Sequence, residues 1–397
     1  MKLSDDNRRI LIAGGGVGGL TAALALAQAG VPVQVLEQAE EFSEAGAGIQ
    51  LGPNGVRVLR ALGIADALAR HAVAPEGVHL IDARAGQCLT TIPLGPLAEM
   101  RYGAPYWVVH RADLQRVLLD AVNANDNAVI SQPFRVAQCR TEGERVNAIS
   151  DTGESVAGGA LIGADGMRSA VRAQLGSNDA PVYSGKNAWR VVRPLADVPE
   201  PLRQHAIGLW LSPRAHMVHY PVRGGAEVNV VVIVDESDTP EGWNVPGEAG
   251  EFIHHLTGWP ETITAFLAGQ TGWRRWALYD MPPPRHWWHG RIALLGDAAH
   301  PVLPFLASGG VLAIEDAASL ANALDSARGE PEAAFAAYTR KRRARARHVH
   351  MWSRRMGRIY HMRGIMRWSR NQVLTARHPQ DLLRRNDWLY GYCADEV

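Results

Sequence analysis

The sequence predicts an α/β chain in which a parallel-sheet lobe is interleaved with a β-rich layer and followed by C-terminal helices. Three observations carry this. Short apolar runs bounded by glycine at 10–13, 160–164 and 292–295 read as fully buried parallel strands. From about residue 183 to 284 the pattern switches to β-rich runs broken by Pro and Gly. From Glu332 onward the chain reads as helical and basic.

Taken in order, the 10–13 strand runs into a glycine cluster between Gly14 and Gly19. A helix of Ala and Leu over 17–29 follows, and Gly30 stops it as the residue after the C-cap. Residues 31–36 alternate as a second strand, completing a β-turn-α-β unit. The apolar run 106–109 leads into a helix over 113–122, and the 160–164 strand ends at Asp165-Gly166. In the β-rich block, 207–211, 217–220 and 228–234 read as strands, and 310–324 is an amphipathic helix. There is no internal repeat, low-complexity tract or long linker, so interleaved lobes are expected. Residues 1–75, 100–180 and 285–330 form the nucleotide-binding lobe, 76–99 and 181–284 the substrate-binding sheet, and 331–397 the helical segment.

The 397 residues are 47% hydrophobic, enough for a large core in two lobes. With 20% charged residues and a net charge of +1, the composition argues against wholesale disorder and against nucleic-acid binding. The charge is uneven: between Arg340 and Arg385, fourteen Arg and one Lys face one acid, Asp381. A solvated helix face set against acidic surface explains this run, with phosphate, lipid or nucleic acid as rival uses. Cys88, Cys139 and Cys393 are odd in number and form no metal or disulfide pattern, which fits a reducing cytoplasm. Residues 10–29 carry no charge and could pass for a membrane span. Five glycines and the preceding Asp5 and Asp6 favour strand, turn and helix instead.

Gly14-Gly-Gly16-Val17-Gly18-Gly19 fits GxGxxG between a strand and a helix. The glycines let the backbone approach a pyrophosphate, and the helix N-terminus offers free N–H groups to its charge. Glu37 ends the next strand, placed to accept hydrogen bonds from an unphosphorylated ribose, so the ligand is FAD or NAD. Farther on, Gly296-Asp297 and Asp165-Gly166 each follow a buried strand. The competing readings are a helix N-cap at Asp297 and a plain capped turn at Asp165.

In this order and spacing, the three motifs resemble the single-component flavin-dependent aromatic hydroxylases, the para-hydroxybenzoate hydroxylase-like family, over essentially the whole chain. The segments Gly46-Ala-Gly-Ile-Gln50-Leu-Gly-Pro-Asn54, Arg101-Tyr-Gly-Ala-Pro-Tyr106, Leu306-Ala-Ser-Gly309 and Asp387-Trp-Leu-Tyr-Gly-Tyr392 resemble its branch acting on simple hydroxybenzoates. The resemblance implies that Gly14, Gly16, Val17, Gly18, Gly19, Glu37 and Gln38 hold the ADP half of FAD. It places Arg111 along the cofactor, Asp297 at the ribityl chain, and Asp165 and Gly166 near both FAD and a transient NADH or NADPH. Gln50, Gly296, Pro304, Gly309 and Gly310 complete the expected contacts. It further implies O₂ as co-substrate, a small aromatic acid as substrate and a homodimer. The expected reaction is 3-hydroxybenzoate to gentisate, with salicylate and 6-hydroxynicotinate as alternative substrates and a non-hydroxylating flavoprotein as the alternative of a different class.

The oxygen delivered in such a reaction is electrophilic, so the ring must be electron-rich and its phenolic proton removed or shared. An imidazole suits that task. His216, Val218 and Tyr220 alternate onto one face of a strand, with His219 on the other. That parity and the family pattern favour His216 as base and Tyr220 as a pocket residue; a plain sheet histidine is the rival reading. Pro304 stands where the family's 3-hydroxybenzoate enzymes carry Gln, which removes a polar partner and leaves the substrate open. His300 is read as a loop support. Trp352, Met356, Met362, Met366 and Trp368 are read as core or subunit contacts rather than a ligand box.

Overall fold

The computed structural model describes residues 8–42, 47–177, 179–239 and 244–394; Gly46 of the sequence motif lies outside them. Strand Ile10–Ala13 sits inside a six-stranded sheet. Its order is Trp288–His289, Ile292–Leu294, Ala160–Gly163, Ile10–Ala13, Val33–Leu36, Ala128–Ser131. Every neighbouring pair is parallel except the 288–289 edge hairpin. Ile10–Ala13 and Ala160–Gly163 are buried at every residue. Helices cover both faces of such a sheet, so nothing polar alternates along these strands.

The first helix spans Val17–Gln28, and the second strand starts at Val33 rather than 31. The reason lies in the cap. Gly30, at φ +76°, donates its N–H to Ala27 O (3.0 Å), and Val31 donates to Leu26 O (3.0 Å). Those two bonds make a Schellman motif, which spends Val31 on closing the helix. Among the described residues no helix is long and apolar enough to cross a membrane.

An eight-stranded sheet forms the second layer. Its order is Val245–Gly247, Trp273–Asp280, Val182–Pro194, Glu227–Asp235, Ala215–Val222, Ile207–Ser212, Gly77–Asp82, Gln87–Pro93. One face buries Trp189, Trp210 and Met217 against Phe252, Trp259, Ile263 and Leu267. Period-2 alternation sends the other residues of each strand toward the nucleotide lobe. A ribbon of Gly48–Leu51 against Trp107–His110 bridges the layers; the apolar run 106–109 signalled its second strand, and its first had no strong sequence signal.

The C-terminal segment is helical over Pro331–Tyr360, Gly364–Thr375, Pro379–Arg384 and Asp387–Tyr390. Its basic run is not simply a solvated face. Arg342 is fully buried, pairing Glu315 at 2.7 Å and Asp316 at 2.6 Å, and Arg345 pairs Glu315 at 2.9 Å. The acids come from helix Gly309–Ser326 and have no exposure, so they persist as charges only with cations beside them. Arg340, Lys341, Arg343 and Arg347, on the other face of the helix, stay exposed.

Candidate active site

Two glycines of the first turn are fixed by geometry. Gly14 takes φ +102°, and a Cβ there would lie 2.6 Å from Ala164 O. A Cβ on Gly19 would run into the Gly14 carbonyl, so the helix can leave the strand this tightly only without side chains. At Gly16 an added Cβ would meet nothing within 4 Å, which leaves a clear approach to the helix N-terminus. Glu37, at the end of the next strand, accepts from Gly15 N–H (2.5 Å) and Ala39 N–H (2.8 Å).

The other two turns meet beside this one. Ser169 caps the helix after Asp165-Gly166 by accepting from Arg172 N–H at 2.9 Å. The buried Arg172 donates to Met167 O in its own turn and to Ala298 O (3.2 Å) in the Gly296-Asp297 turn, stitching the two together. Asp165 accepts from Val171 N–H at 3.2 Å, while its Oδ1 is buried without a hydrogen-bond partner. Burial pushes the Asp165 and Asp297 carboxyls up. Asp297 is enclosed by protein yet exposed, because its open side is a cavity. Asp316 accepts from Gly296 N–H (3.1 Å) and pairs His300, so His300 supports the turn from below.

That cavity has a volume of about 1010 Å³ and joins the lobes. Gly16, Val17, Gly18, Gln50, Arg111, Gly166, Gly296, Asp297, Pro304, Gly309, Gly310, His216 and Tyr220 all line it. Of the sequence-selected residues, Gly14, Gly19, Glu37, Gln38 and Asp165 do not. Gly14 and Gly19 shape the turn, Asp165 sits just behind it, and Gln38 is exposed. Trp352, Met356, Met362 and Met366 also line the cavity, and Met356 packs against the core cluster of Ala188, Ile233, Leu278, Leu303 and Phe305 as well, in keeping with its reading as a core contact; Trp368 is 64% exposed. The helices that carry them fold back along the opening, where Arg367 holds Asp82 at 2.6 Å.

The far wall is the eight-stranded sheet. His216, Val218 and Tyr220 face the cavity with Leu209, Leu211, Val231 and Ile233, whereas His219 turns away against Trp210. His216 donates or accepts through Nδ1 with His361 Nε2 at 2.7 Å, so Nε2 is the nitrogen left for a ligand. Burial, then the nearby His361 and Lys186, hold its imidazole well below the usual range, so the ring is neutral at pH 7. Burial pushes the Tyr220 hydroxyl up, keeping it a hydrogen-bond donor. Tyr106 donates to Gln50 Oε1 at 2.7 Å at the bridging ribbon.

Sequence reasoning missed Arg190. It lines the cavity, its guanidinium lies 3.9 Å from the Trp276 ring centroid, and no carboxylate pairs with it among the described residues. Burial pulls it down to about 10, still cationic at neutral pH. A lone Arg in the apolar run Ala188-Trp-Arg190-Val-Val was the available signal. His361 had none, since it lies 145 residues from its partner His216.

The clear approach at Gly16, the partnerless Asp165 Oδ1 and a cavity running from the glycine turn to the sheet fit an extended dinucleotide with room for a small second ligand. Residues 7–353 match the FAD binding domain family, FAD_binding_3. The chain is 39% identical over 384 residues, 96% of each sequence, to a 3-hydroxybenzoate 6-hydroxylase of Polaromonas naphthalenivorans (strain CJ2). It is 37% identical over 388 residues, 98% of this chain and 97% of the relative, to that of Klebsiella oxytoca. Among solved structures, Klebsiella pneumoniae HpxO complexed with FAD and uric acid superposes with a TM-score of 0.84 at 26% identity, covering 98% of both chains. Family, full-length relatives and cavity agree: this chain belongs to the FAD binding domain family, and FAD is its cofactor.

Proposed function

We propose that the chain is a single-component FAD-dependent monooxygenase that hydroxylates 3-hydroxybenzoate to gentisate, consuming NADH or NADPH and O₂. The observation that carries this reading is one cavity bounded by the glycine turn, by Arg111 and Asp297, and by His216 and Tyr220. Bound FAD supplies electron storage and delivers oxygen to the substrate ring. The chain supplies placement and proton handling. His216 Nε2 takes the phenolic proton, which makes the ring electron-rich, and Tyr220 donates a hydrogen bond to the substrate. Arg190 is the partner for the substrate carboxylate: it is an enclosed cation with no acid of its own among the described residues, and an anion there recovers its lost solvation. Leu209, Leu211, Val231 and Ile233 hold the ring and keep water out.

One observation favours a second reading, salicylate or 6-hydroxynicotinate as substrate: Pro304 lines the cavity and offers no hydrogen-bonding side chain. Product analysis with NADH, O₂ and each acid in turn decides. Gentisate supports the first reading, and catechol or 2,5-dihydroxypyridine the second. His216→Ala is expected to retain FAD while slowing hydroxylation roughly 10²-fold or more, with NADH consumption diverted to H₂O₂. Full coupling in that variant removes His216 from the mechanism.

A further inference from the structure

His216 does not end at the cavity wall. Its Nδ1 lies 2.7 Å from His361 Nε2, and His361 Nδ1 lies 2.7 Å from Asp235 Oδ1. Lys186 pairs the same Asp235 carboxylate and sits 3.2 Å from His361 Nδ1. Lys186 and Asp235 are register partners on adjacent strands, so the sheet itself fixes this end of the chain of groups. Exposure rises along it: 1% for His216, then side-chain values of 6% for His361 and 31% for Asp235. The sequence of contacts therefore leads from the cavity to solvent.

Resting on the reading of His216 as base, we propose that His361 and Asp235 form a proton path carrying the substrate's phenolic proton from His216 to solvent. His361 and Asp235 are positioning residues here, because neither touches the substrate. Before transfer, Asp235 accepts from Nδ1–H of His361, whose Nε2 accepts from Nδ1–H of His216. That tautomer leaves the Nε2 lone pair of His216 facing the cavity. When the phenol O–H bond breaks and its proton bonds to that Nε2, the Nδ1 proton of His216 moves to His361 Nε2. The Nδ1 proton of His361 moves in turn to Asp235 and on to water. Both rings end neutral in the opposite tautomer, and the phenolate keeps the electron pair. Lys186 then stabilises the product state by donating to the vacated Nδ1 of His361. Return of one proton along the same route restores the first tautomer.

The environment supports a path rather than a store. Burial holds both imidazoles below their usual range, His216 the more strongly. A proton kept on His216 would be a buried cation beside Lys186, whereas a hand-over avoids it. The groups facing His361 are His216 and Lys186 from the sheet, Asp235 from the neighbouring strand and Arg370 from its own segment. Asp235 is the one acid among them, so it is the exit.

The test uses the FAD-loaded enzyme without NADH, so that no turnover occurs. The probe is 3-hydroxy-4-nitrobenzoate, a phenol whose phenolate absorbs visible light, mixed below its solution pKa in a stopped-flow instrument with a pH indicator. In the unmodified enzyme phenolate formation and proton release to the medium are expected in one phase. His361→Ala and Asp235→Asn should each slow that phase at least 10-fold, with FAD affinity and flavin reduction by NADH unchanged. Imidazole in the buffer should restore His361→Ala, whose lost ring leaves space for it, and should not restore Asp235→Asn. Unmodified rates in both variants, with a slow His216→Ala, overturn the path and leave the base standing. Unmodified rates in His216→Ala overturn the base reading and the path with it. A slow His361→Ala that imidazole does not rescue, together with weakened probe binding, reduces His361 to a packing residue and also overturns the path.

Discussion

Replacing Arg342 by Met tests how the C-terminal helix is held and what the flavin-side turn depends on. Met keeps most of the side-chain volume, so the change isolates charge. Arg342 has no solvent exposure and bonds Asp316 at 2.6 Å and Glu315 at 2.7 Å. Two unit charges about 4 Å apart attract by roughly 4 kcal/mol at an effective dielectric of about 20. Desolvation of the guanidinium offsets much of that, and removing one partner of a buried pair costs about 3–5 kcal/mol. The low end applies, because Glu315 keeps Arg345 (2.9 Å) and Asn54 (2.5 Å), and Asp316 keeps His300. For 397 residues, an unfolding entropy of about 2.1 cal/mol/K per residue makes a 3 kcal/mol loss a Tm decrease of about 4 °C. Asp316 also accepts from Gly296 N–H, so FAD affinity should weaken by about tenfold, or 1.4 kcal/mol. Circular dichroism reads the first quantity and flavin fluorescence the second. A Tm within 1 °C of the parent, or above it, refutes the claim that the buried acids need this cation.

The same cluster sets an acid limit. Burial opposes the Asp316 charge, but His300 and Arg342 hold its carboxyl at about 2, below an unfolded value of about 3.9. Its contribution is therefore present above about pH 4 and lost as pH falls through about 2, and Arg342→Met should move the acid-unfolding midpoint to higher pH; an unmoved midpoint counts against this. Gly16→Ala should leave the melting of the FAD-free protein unchanged and weaken FAD at least tenfold, since its Cβ meets no protein atom. Gly19→Ala, whose Cβ would strike the Gly14 carbonyl, should lower both; equal behaviour of the two variants would contradict this assignment of roles. Arg190→Gln should raise the substrate KM by about 10–100-fold with flavin content unchanged, and an unaltered KM would exclude Arg190 as the carboxylate partner.

What sequence alone determined is local or strongly patterned. Strand Ile10–Ala13 was readable because a parallel strand covered on both faces has no polar alternation. The glycine turn was readable because only glycine tolerates Gly14's φ and Gly19's approach to the Gly14 carbonyl. The parity that separates His216 and Tyr220 from His219 follows from the two-residue period of a strand, and the cavity lining agrees with it. The motifs' order carried the family resemblance, because each motif is a strand-to-turn junction written in a few consecutive residues. Only the tertiary structure decided the rest. Arg342 reads as one more charge in a basic run until Glu315 and Asp316 are packed beside it, and Arg190 as one more surface-type residue until the sheet closes over it. Trp352 and Met356 reach the cavity because the long helix folds back along it, a long-range packing outcome that helical spacing does not encode. His361 is the clearest case: its meaning comes from a partner 145 residues away, and hydrogen bonds depend on distance in space rather than along the chain.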